Sequence, residues 1–411
     1  MIGRLSYNNK IESGFEHNPI VVLIGARQVG KTTLMELFVK DLDFVWLNGQ
    51  NIESAGLFEQ FSIIERYLQI NINNELDGLI VIDEFQYIAG ISTMLKLLVD
   101  KYKKLRILCS GSSSLQIIQH VEESLAGRVR IINVYPLNFV EYLKFQDIEL
   151  WQKFKTTGIN DSVNLMFPQI QQLFNEYLTY GGLPKLALTH NYNEKIELLN
   201  DIYQTYLLKD VRQFIKNQDF VAFNKLLKLL SAQIGNMINV NEISNTIRLS
   251  YRKCEEYINI LEQMFIIKLV APFSVNARKE ISKMKKIYFC DTGLRNIVYN
   301  SFNDIEIRVD KGQIFENFVY LQLLGNHKPE NINYYRTKDN TEIDFIIKTI
   351  KGAIIPVEAK FKSYAKTWKN RAITEFAKIY PFDIAFIVNL NLCEANENLQ
   401  YIQAYHAHKI L

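Results

Sequence analysis

Apolar and polar positions follow two rhythms along this chain. Residues 20–24 are uniformly apolar and mostly β-branched, and they run into Gly25 as a strand buried on both faces does. Leu34, Leu37 and Phe38 then recur at helical spacing. The same exchange returns further on: an apolar segment at 44–47, helical periodicity over 56–70, and apolar segments at 79–82, 105–109 and 131–134. Strands alternating with helices predict a parallel sheet, with residues 1–18 as a short helix leading into its first strand. Residues 150–216 are helical in pattern, broken by Gly181-Gly182 ahead of Pro184, and 194–216 reads as one long helix.

Over 218–300 the pattern is that of a winged helix. Phe223, Leu226, Leu227 and Leu230 form one helical face, 241–247 is a short second helix, and Ser250 caps a third over 251–263. Two apolar strands follow, at 265–270 and 287–290. Beyond 305 the pattern predicts a helix over 313–324 and strands at 332–335, 341–347, 353–357, 385–388 and 401–405.

Chemistry concentrates where strands end. The first strand–helix junction reads Gly25-Ala26-Arg27-Gln28-Val29-Gly30-Lys31-Thr32, the spacing G-x-x-x-x-G-K-T. The glycines let the backbone approach a triphosphate, and the N–H groups of the loop and of the helix start aim positive charge at it. This predicts a site for ATP and Mg²⁺ built from Gly25, Gln28, Val29, Gly30, Lys31, Thr32 and Thr33. Lys31 reaches the β- and γ-phosphates, and the Thr32 hydroxyl ligates Mg²⁺. The strand at 79–82 ends in Asp83-Glu84, a Walker B pattern in which Asp83 holds the metal and Glu84 orients and deprotonates the attacking water. Ser110 or Ser112, at the end of the next strand, either senses the γ-phosphate or caps the helix that follows. Arg128 is expected in a surface ion pair.

Composition narrows the class. The 411 residues are 48% hydrophobic and 22% charged, which fits a folded protein of about three domains. The net charge of +3 places any nucleic-acid preference in local patches. Four separated cysteines without a C-x-x-C pair read as reduced thiols, and no apolar run approaches a membrane span, so the expected location is cytoplasmic and no membrane partner is expected.

One such patch lies between the two winged-helix strands. Residues 276–286 hold five basic side chains, Arg278, Lys279, Lys283, Lys285 and Lys286, against Glu280. With Arg252 and Lys253 they predict contact with the DNA backbone through residues 250–286. In the last segment the strand ends carry Asp344 and Glu358-Ala359-Lys360, which a hairpin brings together. Asp344 and Glu358, with Glu316 on the preceding helix, could hold a divalent metal on a phosphate, and Lys360 could steady developing charge. This arrangement resembles the PD-(D/E)XK nuclease fold.

The motifs G-A-R-Q-V-G-K-T-T-L, V-I-D-E-F-Q, C-S-G-S-S-S and A-G-R-V…P-L-N-F-V-E-Y, in that order, resemble the bacterial and archaeal AAA-type P-loop ATPases that carry a C-terminal nuclease-like domain. The resemblance spans essentially the whole chain. It implies an α/β protein with an additional-strand P-loop NTPase core of AAA type over 1–148. A helical lid over 149–217, a winged helix over 218–302 and a restriction-endonuclease-like α/β domain over 303–411 follow. It also implies that Pro184, in a G-x-P element of the lid, lies against the nucleotide. Asn48 departs from the acidic residue of many relatives. Two functions remain open at this point. One is an ATPase controlling a DNA-contacting, nuclease-like module. The other is a nucleotide-gated switch that binds a partner protein, or a second copy of itself, and cuts nothing.

Overall fold

The computed structural model describes residues 2–112, 124–156, 167–212, 214–274 and 284–410. The chain divides into two compact units, Met1–Tyr135 with Gln263–Phe265, and Pro136–Glu262 with Ile266–Leu411.

The first unit is built on five parallel strands: β1 (Ile20–Gly25), β2 (Phe44–Asn48), β3 (Leu79–Asp83), β4 (Arg106–Ser112) and β5 (Val129–Asn133). Their order is β2-β3-β4-β1-β5. β4 is thus inserted between the strand that leads into the phosphate loop and the strand that ends in Asp83, the additional-strand arrangement expected from the sequence. Every residue of β1 and β3 is buried, as their unbroken apolar runs require. Helices Leu5–His17, Lys31–Val39, Phe61–Asn71 and Ile91–Lys101 accompany the sheet. All five strands run the same way, so the loops that carry candidate chemistry collect at their carboxyl ends.

The second unit combines helices with two sheets. Helices Phe220–Ala232, Val240–Ile247 and Tyr251–Gln263 precede an antiparallel pair, β6 (Ile267–Val270) and β7 (Lys286–Phe289). A six-stranded sheet then joins β8 (Ile332–Arg336), β9 (Glu342–Lys348), β10 (Ile354–Ala359), β11 (Ala385–Asn389), β12 (Glu394–Asn396) and β13 (Leu399–Gln403). Its order is β12-β13-β11-β10-β9-β8, antiparallel across β8–β9–β10 and parallel where β11 meets β10 and β13. An aromatic nest of Phe139, Phe174, Tyr177, Phe318 and Tyr405 packs mostly edge to face at centroid distances of 5.0–6.2 Å.

The expected long helix over 194–216 is divided. Tyr192–Ile202 is α-helical and Tyr203–Asp210 is wound as a π-helix. Among the described residues no helix is long and apolar enough to cross a membrane.

One buried carboxylate fixes the glycine turn that opens the short helix Pro184–Ala187. Asp291, 1% exposed, accepts from the N–H of Gly182 at 2.7 Å and caps helix Thr292–Tyr299 through the N–H of Leu294 at 2.9 Å. Gly181 sits at φ 84°, and a Cβ there would lie 2.2 Å from Asp291 Oδ1, so the turn accepts only glycine. Replacing Asp291 by Ala orphans two buried donors and should cost about 2–3 kcal/mol in urea unfolding, with Asp291→Asn recovering part of it.

Candidate functional site

The carboxyl end of β1 forms the first site. A Cβ on Gly25 would lie 2.2 Å from the carbonyl oxygen of Val134, so only glycine fits where the strand turns into the loop. Gln28 (φ 63°) and Gly30 (φ 90°) take left-handed conformations that fold the loop over the first turn of helix Lys31–Val39. That turn holds no acidic residue, and its N–H groups, those of Thr32 and Thr33 included, start the helix at the loop. Val29 is fully buried and anchors the loop from below.

Lys31 is 5% exposed, and its Nζ donates to the carbonyls of Gly25 (3.0 Å) and Ala26 (2.8 Å). Burial pushes its pKa down to about 8, against the pull of Glu84 and Asp83. An ammonium whose hydrogen-bond partners are carbonyls, with the acids acting only through space, has room for direct counter-charge, and a phosphate supplies it.

From β3 the acidic pair meets this loop. Thr32 Oγ1 donates to Asp83 Oδ2 at 3.0 Å. Ser110 of β4 donates its hydroxyl to the other oxygen of Asp83 and accepts from the N–H of Glu84 at 3.2 Å. Glu84 turns off the strand at φ 51°. The end of β2 lies against that turn: Gly49 N–H donates to Asp83 O at 2.8 Å, and a Cβ on Gly49 would stand 2.3 Å from Glu84 O.

Two further residues complete the site. Gln86 donates its Nε2 to the Glu84 carboxylate and, at 2.8 Å, to the hydroxyl of Ser112, while its buried Oε1 has no hydrogen-bond partner. Gln86 and Gly49 carried no role in the sequence reading. A polar residue two positions after the glutamate, on the turn Phe85–Tyr87, was the available signal for Gln86. Both serines therefore face the acidic pair, and Arg128 pairs with Asp100 at 2.7 Å as expected.

Hard oxygen donors from Thr32 and Asp83, a glycine-built cradle and a buried lysine short of counter-charge fit a magnesium-bound nucleoside triphosphate. Residues 17–143 match the family model described as AAA domain. The first unit has an AAA-type P-loop fold. Residues 171–304 and 311–409 match models described as domains of unknown function, DUF8612 and DUF4143.

Whole-chain relatives include the uncharacterized protein MJ1544 of Methanocaldococcus jannaschii, 26% identical over 384 residues that span 88% of this chain and 82% of that protein. The uncharacterized protein Rv2008c of Mycobacterium tuberculosis is 25% identical over 353 residues, 85% of this chain and 72% of that protein. Among solved structures, the Walker-type ATPase PABY2304 of Pyrococcus abyssi aligns at a TM-score of 0.47 with 13% identity, covering 71% of this chain and 94% of that one. The Orc1 protein of Aeropyrum pernix, solved in complex with DNA, aligns at a TM-score of 0.32 with 14% identity, covering 72% and 92%.

The second unit gathers charge at the ends of β9 and β10. Asp344 and Glu358 face each other across the hairpin: Ala359 N–H donates to Asp344 Oδ2 at 2.8 Å, and Asp344 N–H to Glu358 Oε2 at 3.4 Å. Lys360 Nζ meets Glu358 Oε1 at 2.5 Å. Glu316 joins from helix Lys311–Leu323, and the structure adds four residues that the motif did not name. Lys286 Nζ lies 2.8 Å from Glu316, 2.5 Å from Glu342 and 3.9 Å from Asp344. Tyr288 donates to Glu316 at 2.5 Å, and Arg336 reaches Glu342 at 3.2 Å.

Burial first, then the charge of Asp344, pushes the Glu316 and Glu358 carboxyls well above their usual range. Burial opposes the charged form of Lys286, but Glu316, Asp344 and Glu342 outweigh it and hold its pKa up. Among the described residues no three His, Cys, Asp or Glu side chains converge closely enough to hold a metal ion.

Lys286 corrects one expectation. As part of the basic wing it was to meet DNA phosphates, yet it is 1% exposed and committed to carboxylates. Arg278, Lys279 and Lys283 lie outside the described residues. Lys253 pairs with Asp219 at 2.6 Å, leaving Arg252 exposed on the same helix. Pro184 is the first residue of helix Pro184–Ala187 in the second unit, behind the turn that Asp291 fixes.

Protonated Lys31 is the form that binds phosphate, and burial brings its pKa down to about 8. ATP affinity should be flat below that pH and fall as pH rises above it. Binding at about pH 8.5 should take up a proton, read in calorimetry as an enthalpy that changes with the buffer's ionisation heat. Lys31→Met should abolish that dependence together with tight binding. In the other unit, Lys286→Met leaves buried carboxylates uncompensated and should lower stability by about 3–5 kcal/mol, read in chemical denaturation.

Proposed function

We propose that this chain is a Mg²⁺-dependent ATP hydrolase whose nucleotide state governs a nucleic-acid-contacting C-terminal half. The observation that carries the first part is the continuous polar line from Thr32 through Asp83 and Ser110 to Glu84, set beside buried Lys31. Lys31 and the loop N–H groups bind the β- and γ-phosphates. Thr32 and Asp83 are the donors that would hold Mg²⁺, which when bound neutralises charge on those phosphates. Glu84, released from Gln86, orients the attacking water and accepts its proton.

The order of helices 220–232, 240–247 and 251–263 before β6 and β7 supports a winged helix, with exposed Arg252 on its third helix facing solvent. The helix–β8–β9–β10 arrangement with Asp344, Glu358 and Lys360 at strand ends supports a PD-(D/E)XK-type core. Its carboxylates already hold Lys286 and Lys360 as counter-ions. That favours a scaffold that binds nucleic acid over one that cuts it.

Purified protein with ATP and Mg²⁺ tests both parts. Wild type should release phosphate, Lys31→Ala should not, and Glu84→Gln should bind ATP but turn it over about 100-fold or more slowly. Wild-type turnover in both variants refutes the hydrolase. Labelled duplex, single-stranded and branched DNA with Mg²⁺ or Mn²⁺ should be bound and left whole. Cutting that disappears in Asp344→Ala and Glu358→Ala would instead establish a nuclease.

A further inference from the structure

We propose that residues 360–371 form a platform for single-stranded nucleic acid beside the carboxylate–lysine cluster. The proposal rests on the nucleic-acid part of the reading above and names its segment and ligand class. The segment reads Lys360-Phe361-Lys362-Ser363-Tyr364-Ala365-Lys366-Thr367-Trp368-Lys369-Asn370-Arg371, with five cations and no acid. It leaves β10 directly after Ala359 and runs through Asn370, the cap of helix Arg371–Ala377, to the first residue of that helix.

Although residues 360–370 hold no helix or strand, the backbone is tied down along the segment. Lys360 N–H donates to Val388 O at 2.8 Å, and Leu390 N–H to Lys362 O at 3.2 Å. Asn391 clamps Tyr364, accepting from its N–H at 2.8 Å and donating to its carbonyl at 3.0 Å. Trp368 N–H donates to the Tyr401 hydroxyl at 2.9 Å.

On this fixed backbone cations and rings alternate. Lys362, Lys366 and Lys369 are exposed, and the ion pair of the segment is made by Lys360, which holds Glu358. Tyr364 and Trp368 stack at 3.9 Å with 27° between planes, and Trp368 meets Tyr401 edge-on at 4.8 Å. The column ends at Tyr364, over whose ring Lys362 Nζ stands at 5.5 Å.

Lysines spaced along a backbone match a run of phosphates, and a pre-stacked aromatic column that ends in a half-buried ring matches an unpaired base. A base added to the column takes the place of the Lys362 ammonium, which is then free to meet the adjoining phosphate. A duplex hides its base faces and would leave the rings unused, which is why the single strand is favoured.

The test uses the full chain and fluorescence anisotropy with labelled oligo-dT, oligo-rU and a duplex, each about 15 nucleotides long. Single strands should bind about tenfold tighter than duplex, and a preference for dT or rU names the polymer. Tyr364→Ala should weaken single-strand binding about tenfold, while Tyr364→Phe, which keeps the ring, should not. Joint replacement of Lys362, Lys366 and Lys369 by Ala should lower the slope of log K against log salt by about 2, near 0.7 for each lost contact. An unchanged urea unfolding transition in each variant shows that the protein is folded. Single-strand binding that survives both Tyr364→Ala and the triple replacement overturns the platform alone. Failure of wild type to bind any of the three overturns the platform and the nucleic-acid part of the proposed function together.

Discussion

A buried ammonium group must find negative charge or lose its proton, and both chemically marked regions of this protein turn on that constraint. Lys31 and Lys286 are 5% and 1% exposed, so water satisfies neither. Lys286 is met by Glu316 and Glu342 within 2.8 Å and is held charged. Lys31 leans on two carbonyls, and its pKa drops to about 8. The same residue type is therefore saturated in one place and waiting in the other. An unsatisfied buried charge is tolerated where a ligand completes it, and the loop around Lys31 is shaped for a phosphate.

The inserted strand β4 explains how the waiting lysine acquires chemistry. Because β4 separates β1 from β3, Ser110 stands between the phosphate loop and the acidic strand end. Its hydroxyl gives to Asp83 and receives from the backbone of Glu84, so both acidic residues are positioned by one side chain. Gln86 then ties the Glu84 carboxylate to Ser112 of the same strand. Movement of β4 against β3 would be felt by both acids together.

Much of this was legible in the sequence because buried parallel strands write unbroken apolar runs and the phosphate loop has fixed spacing. Thr32 and Asp83 were paired by motif and meet at 3.0 Å. What escaped has physical reasons. β12 (Glu394–Asn396) is fully exposed and leaves no apolar trace. A π-helical stretch at Tyr203–Asp210 differs too little from helical periodicity to be seen. Lys286 was read as surface because its neighbours in sequence are cationic. Strand alternation decides otherwise: Lys286 and Tyr288, two apart on β7, point to one side and both bond Glu316. A count of charges along the chain cannot register which face each occupies.

The D…E-x-K spacing shows the same limit from the other direction. The antiparallel register of β9 and β10, with Phe345 opposite Val357, brings Asp344 and Glu358 together, as the hairpin spacing implies. Spacing says nothing about which cation balances them. In a metal-bound site that cation would come from solvent; here β7, far upstream in the chain, delivers Lys286, and Arg336 shares Glu342 with it. Four carboxylates, Glu316, Glu342, Asp344 and Glu358, thereby face three cations, Lys286, Lys360 and Arg336. The cluster holds β7 to the helix that carries Glu316 and to the C-terminal sheet. Loss of Lys286 would leave buried carboxylates facing one another, so in this chain the acidic set bears structure.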